Sequence, residues 1–171
     1  MKIAAYQGPS PEGDADHAFK TIDKTLAQAV AQGAKMVVFP ELYLLGYNQM
    51  HRHAALAQCI GGGWETQCAN LTQKHKCGLT IGWVERDGET LYNSASTFDA
   101  SGAKLGHYRK IQLWGPVEQS VFAFGDRYTT FILHGVKTAI LICYDVEFAP
   151  HCHALASLRV KRVLVPTANP A

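Results

Sequence analysis

A cysteine, a lysine and two glutamates occur in short motifs whose residue types can carry out thiol-based acyl transfer. Glu41 directly follows a run of apolar residues, and Cys143 ends another such run. Lys110 lies in an aromatic loop, with Glu118 eight residues later. A thiolate is a nucleophile, a carboxylate can take the thiol proton, and an ammonium group stabilises an oxyanion. These residues therefore predict nucleophilic attack on a carbonyl or related carbon.

Each motif also has an ordinary structural interpretation. Glu41 is also consistent with a helix-capping carboxylate, and the segment around Lys110 with a solvated surface loop. A lone cysteine at the end of a strand, such as Cys143, is most often a buried structural thiol. A partly buried lysine, however, needs a counter-charge, and Glu118 is close enough in sequence to supply one.

The elements that must position these residues alternate between strand and helix. The opening predicts a strand, a helix N-capped by Asp16 and stopped near Gly33, and a second strand ending at Pro40. Strands are predicted at 2–6, 34–39, 79–84, 92–98, 129–133, 137–142 and 162–165, helices at 64–76 and 150–158, and a loop at 107–125. This order favours one α/β domain with parallel pairing at its start.

Three motifs in this order resemble the nitrilase superfamily of carbon–nitrogen hydrolases. They are FPELYLLGY around Glu41, HYRKIQLWGPVE around Lys110 and LICYDVEF around Cys143, with an FxxGD motif at Phe122–Asp126 between the last two. The resemblance runs from the first predicted strand to the last. The Lys110 and Cys143 motifs look closer to the amidase and carbamoylase branches than to true nitrilases.

The resemblance implies a role for each matching position. Cys143 corresponds to the nucleophile, Glu41 to the general base and Lys110 to the residue that stabilises the tetrahedral intermediate. Glu118 corresponds to a second glutamate that positions the lysine and substrate, and the backbone N–H of Tyr144 would complete the oxyanion hole. The family fold is an α-β-β-α sandwich that assembles as a homo-oligomer and uses neither a metal nor an organic cofactor.

Two departures from the family pattern leave a second hypothesis open. Ala149-Pro150 replaces the family's Pro-Glu, and His153 stands where an arginine is usual, so a bidentate carboxylate–guanidinium pair is expected to be missing. The chain also ends soon after its last predicted strand. We therefore expect residues 1–171 to be the N-terminal portion of the usual hydrolase domain, with the sandwich incomplete at its C-terminal end. The alternative to an amidase is a truncated, catalytically inactive member that has a binding or assembly role or is a non-functional fragment.

Other candidate sites are less specific. A Cys143–histidine pair is a competing hypothesis for the nucleophile, although it leaves Glu41 and Lys110 without a function. We expect no metal site, because the two histidine clusters, 51–53 and 151–153, lack the spacing of a four-ligand zinc centre. Trp114 is a candidate for the wall of a substrate pocket.

Composition narrows the possible partners and the compartment. Apolar residues make up 47% of the 171 residues, and the formal net charge is +2. The basic residues are scattered and the longest apolar runs are short, so neither nucleic acid nor a membrane is expected as a partner. The start of the chain does not have the pattern of a signal peptide, and five cysteines are an odd number. We expect a cytoplasmic protein that acts on a small amide or carbamoyl compound.

Overall fold

The computed structural model describes residues 1–168, which form eight strands and five α-helices. In chain order these are β1 (Ile3–Ala5), α1 (Ala15–Ala31), β2 (Met36–Val38), α2 (Met50–Leu56), α3 (Gly63–His75), β3 (Gly78–Asp87), β4 (Thr90–Phe98), β5 (Lys104–Arg109), α4 (Gly115–Val121), β6 (Thr130–Leu133), β7 (Val136–Ile140), α5 (Ala149–Ser157) and β8 (Arg162–Leu164).

The strands form two sheets. The first has the order β1-β2-β3-β4-β5, with parallel pairing from β1 to β3 and antiparallel pairing from β3 to β5. The second has the order β6-β7-β8, where β7 pairs antiparallel with β6 and parallel with β8. The long crossover through α1 allows β1 and β2 to be parallel neighbours, as the sequence predicted.

The two sheets pack face to face, with helices on their outer faces. One apolar cluster joins α1 and α3 to the outer face of the first sheet and contains Ile22, Leu26 and Trp83. A second cluster joins the first sheet to the second and to α5, and contains Tyr108 and Ile140. This order of layers, α-β-β-α, confirms the predicted α/β sandwich class.

Helix α1 begins slightly earlier than its sequence pattern indicated. Asp14, rather than Asp16, is the N-cap, and its carboxylate accepts a hydrogen bond of 2.9 Å from the backbone N–H of His17. Asp16 lies in the first turn, where a negative charge favours the helix dipole. The helix buries Phe19, among others, on the side that faces the sheet.

The segment predicted as a loop at 107–125 is more regular than expected. Strand β5 extends to Arg109 because it pairs with β4, and Pro116 in the first turn initiates α4. These short elements fix the main chain on either side of Lys110 and bring α4 close to it.

Candidate active site

Glu41 is held at the end of β2 by a tight turn that rests on β3. Gly82 makes this contact possible, since a Cβ atom at that position would lie 2.7 Å from the Glu41 Cα and 2.5 Å from the Leu42 nitrogen. Leu42 itself has a φ of 51°, in the left-handed region that residues with a Cβ rarely adopt. The turn therefore points a carboxylate that is only 1% exposed towards the space between the sheets.

Lys110 lies directly after β5 and joins two carboxylates. Its Nζ atom donates at 2.6 Å to Glu41 Oε1 and at 2.9 Å to both oxygens of Glu118. All three side chains are almost completely buried. An ammonium group in this position is fully paired, which is the condition under which a lysine remains charged inside a protein.

Glu118 is fixed by donors from two further segments. The Tyr47 hydroxyl donates to Glu118 Oε1 at 2.7 Å, and the Trp114 backbone N–H donates to Oε2 at 2.8 Å. Burial and the neighbouring Glu118 raise the pKa of Tyr47 well above its usual range, so its hydroxyl remains a donor. Because Glu118 accepts bonds from several directions, it can hold the Lys110 ammonium in one place.

Cys143 occupies a strained elbow between β7 and a short 3-10 helix, Cys143–Glu147. Its φ of 44° is left-handed, and its own N–H donates at 3.0 Å to the Pro166 carbonyl. Such strain in a residue with a side chain is concentrated at functional sites. The thiol is only partly buried. Within residues 1–168 the next N–H, that of Tyr144 in the first turn of the 3-10 helix, has no hydrogen-bond acceptor.

Asp145 connects the elbow to the lysine loop. Its Oδ2 atom accepts from the Ile142 N–H at 2.8 Å and from the Tyr108 hydroxyl at 2.9 Å, while Oδ1 accepts from the Gln112 N–H at 2.7 Å. The sequence motifs indicated no role for Asp145. One buried carboxylate therefore fixes the position of Cys143 relative to Lys110.

The electrostatics favour a neutral thiol in the resting site. Burial and the adjacent Glu41 raise the pKa of Cys143 to about 12, although the Lys110 charge acts in the opposite direction. Burial also raises the pKa of Glu41, in spite of its bonds from Lys110 and Asn93. Burial alone would lower the pKa of Lys110, but Glu41 and Glu118 more than compensate and raise it. The thiol therefore needs a base at the moment of attack.

The predicted site residues are thus brought to one place with different degrees of contact. Glu41, Lys110 and Glu118 form one hydrogen-bonded cluster, and Glu41 also acts on the charge state of Cys143. Trp114 is 54% exposed, and its backbone N–H donates to Glu118 in the cluster. Its role as a pocket wall stays a prediction.

The histidines do not support the alternative nucleophile pair. Within residues 1–168 no hydrogen bond joins a histidine ring to Cys143, and His151 instead bonds to the Tyr128 hydroxyl at 2.7 Å. This bond connects α5 to the segment before β6, whereas His153 is exposed. The same part of the chain contains no group of three or more His, Cys, Asp or Glu side chains arranged to hold a metal ion.

The family model for carbon–nitrogen hydrolases matches residues 2–169 of the chain. An (R)-stereoselective amidase from Pseudomonas sp. is 33% identical, over 99% of this chain and 61% of that protein. A nitrilase from Pyrococcus abyssi is 34% identical, over 99% of this chain and 65% of that protein. A double mutant of the amidase from Nesterenkonia sp. AN1, in complex with acrylamide, superposes with a TM-score of 0.91 at 28% identity, over 99% of this chain and 65% of that one.

The chain spans about 60% of the length of the first of the curated relatives it matches. None of the helices in the described part of the chain combines the length and the apolar character needed to cross a bilayer.

Proposed function

Because the chain belongs to the carbon–nitrogen hydrolase family, we propose that it hydrolyses the C–N bond of a small amide or N-carbamoyl compound. The observation that carries this proposal is the buried cluster of Glu41, Lys110 and Glu118 beside the elbow of Cys143. A base, a charged oxyanion donor and a nucleophile lie together, and all are needed for acyl transfer to a thiol. Residues 1–171 act in this proposal as one hydrolase domain.

The first half of the reaction forms a thioester. The Cys143 sulfur attacks the substrate carbonyl carbon while its proton moves to Glu41, because the thiol is neutral at rest. The carbonyl oxygen becomes an oxyanion, which accepts a hydrogen bond from the Tyr144 N–H and one from Lys110, whose N–H turns from Glu41 to the oxyanion as Glu41 becomes neutral. Each such donor lowers the barrier by about 3–4 kcal/mol. Glu41 then gives its proton to the departing nitrogen, and the C–N bond breaks.

The second half of the reaction releases the acid. Glu41 takes a proton from a water molecule, whose oxygen attacks the thioester carbonyl carbon. The resulting oxyanion is stabilised by the same two donors, and its collapse breaks the C–S bond. The proton returns from Glu41 to the Cys143 sulfur. The cycle consumes one water and restores the neutral thiol and the carboxylate.

The substrate proposal follows the branch that the motifs resemble. Relatives of this chain include proteins named as an amidase and as a nitrilase. A nitrile would also add to the thiol, so a substrate panel must contain nitriles. Trp114, at the start of α4, would line the mouth of the pocket. We further propose a cytoplasmic homo-oligomer, and light scattering of the purified protein tests the oligomeric state.

Ammonia release from the purified chain tests the proposed function. The panel consists of aliphatic amides, N-carbamoyl amino acids and aliphatic nitriles, and Cys143→Ala is the negative control. Cys152→Ala is the matched control, since that thiol is exposed on α5 and takes no part in the cluster. We expect release by the wild type and Cys152→Ala but not by Cys143→Ala. A cooperatively unfolding wild type that releases no more ammonia than Cys143→Ala would refute the proposal.

A further inference from the structure

Asn93 is a fully buried amide on β4 that takes no part in the reaction steps proposed above. The strand places Leu91, Asn93 and Ala95 in alternation on the face that looks towards the second sheet. A polar side chain interrupts this otherwise apolar series at the level of the catalytic cluster. Burying an amide is unfavourable unless it makes hydrogen bonds, so its partner identifies its role.

The partner of Asn93 is the candidate general base. Its Nδ2 atom donates to Glu41 Oε1 at 2.8 Å, and the Lys110 Nζ atom donates to this same oxygen at 2.6 Å. The other oxygen, Oε2, receives within the described residues only a long contact of 3.4 Å from the Ala168 N–H. The two oxygens of Glu41 are therefore not equivalent.

The orientation of the Asn93 amide is also determined by this bond. Its Oδ1 atom is buried and has no hydrogen-bond partner within residues 1–168. A reversed amide would place this oxygen against the carboxylate of Glu41 and lose the donated bond. The side chain therefore leaves one acceptor unpaired while it donates to the base.

From this geometry we propose that Asn93 is a positioning residue that makes Oε2 the atom of Glu41 which accepts the thiol proton. Its role in turnover rests on the proposed function. With Oε1 occupied by two donors at rest, the proton leaving the Cys143 sulfur bonds to Oε2, and Oε1 keeps its hydrogen bond from Asn93. The same proton then faces the departing nitrogen. Without Asn93 only Lys110 donates to Oε1, so the preference for protonation on Oε2 is weaker.

The rate at which iodoacetamide alkylates Cys143 tests this role without any need for turnover. The thiol displaces iodide to form a thioether, and its proton passes to the base. Mass spectrometry of the Cys143 peptide, from about pH 5 to about pH 9, separates this thiol from the other four. The variants are Asn93→Leu, which keeps the shape but removes the donor, and Ser94→Ala as the matched control. Ser94 is the next residue on β4 and is equally buried, but it bonds to Glu85 on the opposite face.

We expect Asn93→Leu to lower the alkylation rate at neutral pH by about tenfold and to move its acidic limb to higher pH. The reason is that a carboxylate that loses a donor is harder to ionise. We expect Ser94→Ala to leave the limb in place. If Asn93→Leu does not unfold cooperatively, Asn93→Ala takes its place. The inference would be overturned if the acidic limb of the alkylation profile did not move in a folded Asn93 variant. It would also be overturned if Ser94→Ala moved this limb by the same amount. Absence of amide hydrolysis in the wild type would instead overturn the proposed function.

Discussion

Replacing Lys110 by methionine should expose how strongly the site depends on one buried charge. Lys110 is 1% exposed, and its ammonium lies within 2.9 Å of Glu41 and Glu118, which are equally buried. Methionine has a similar length and fills the volume, so the change removes mainly the charge and its three donors. Two carboxylates would then lie close together with no cation between them.

The expected loss of stability is large but measurable. Removing one partner of a buried ion pair costs about 3–5 kcal/mol, because the other partner stays buried and unpaired. With a urea m-value of about 2 kcal/mol per molar, this corresponds to a midpoint lower by about 1.5–2.5 M. The matched control is Lys74→Met, whose pairing with Asp23 lies at the surface, with the Lys74 side chain 58% exposed. Lys74→Met should lower the free energy of unfolding by no more than about 1 kcal/mol.

The pH dependence of the loss identifies its cause. The pKa of Glu41 is already raised by burial, and removing Lys110 raises it further. A group whose pKa is higher in the folded state stabilises the fold at low pH and loses this contribution as pH rises through the folded pKa. The difference in free energy of unfolding between wild type and Lys110→Met should therefore be smaller at about pH 5.5 than at about pH 8. A gap below about 1 kcal/mol at pH 8, or one independent of pH, would refute the reasoning.

Two further substitutions test how the cluster is held. Tyr47→Phe removes the hydroxyl that donates to Glu118 at 2.7 Å, and kcat for amide hydrolysis should fall about tenfold with KM unchanged in steady-state assays. A change confined to KM would contradict this role. Gly82→Ala should destabilise the fold by about 1–3 kcal/mol in urea unfolding, because its Cβ would collide with the turn of Glu41. The control is Gly63→Ala, whose added Cβ has no neighbour nearer than 4.0 Å. An equal loss of stability in the two variants would argue against the collision at Gly82.

The regular elements were largely predictable because their signals are local. Helix α1 has a periodic apolar face and a glycine after its end, and the hairpin of β3 and β4 turns at an Asp-Gly pair. Strand β5 and helix α4 were not predicted within 107–125, since their order comes from pairing with β4 and packing on the site. Short elements of this kind depend on tertiary contacts more than on propensity.

The candidate site was predictable only in its chemically distinctive members. Glu41, Lys110 and Cys143 stand in motifs that can be identified from sequence. Asn93 and Asp145 carry no such signal, because their roles follow from partners that are 52 and 33 residues away in the chain. For Asn93 the one available sign in the sequence was its polar side chain at an inward position of β4, between the apolar residues Leu91 and Ala95 on the same face.

The two glutamates around Lys110 explain how the site can move a proton at a modest electrostatic cost. At rest the ammonium group faces two carboxylates. In the proposed mechanism Glu41 becomes neutral when it takes the thiol proton, and the negative charge appears instead on the substrate oxyanion. The number of negative charges around Lys110 is then unchanged, so the reaction relocates a buried charge and creates no new one. In this mechanism Glu118 holds the charged lysine in place throughout, so a carboxylate that does not touch the reacting atoms still contributes to the reaction.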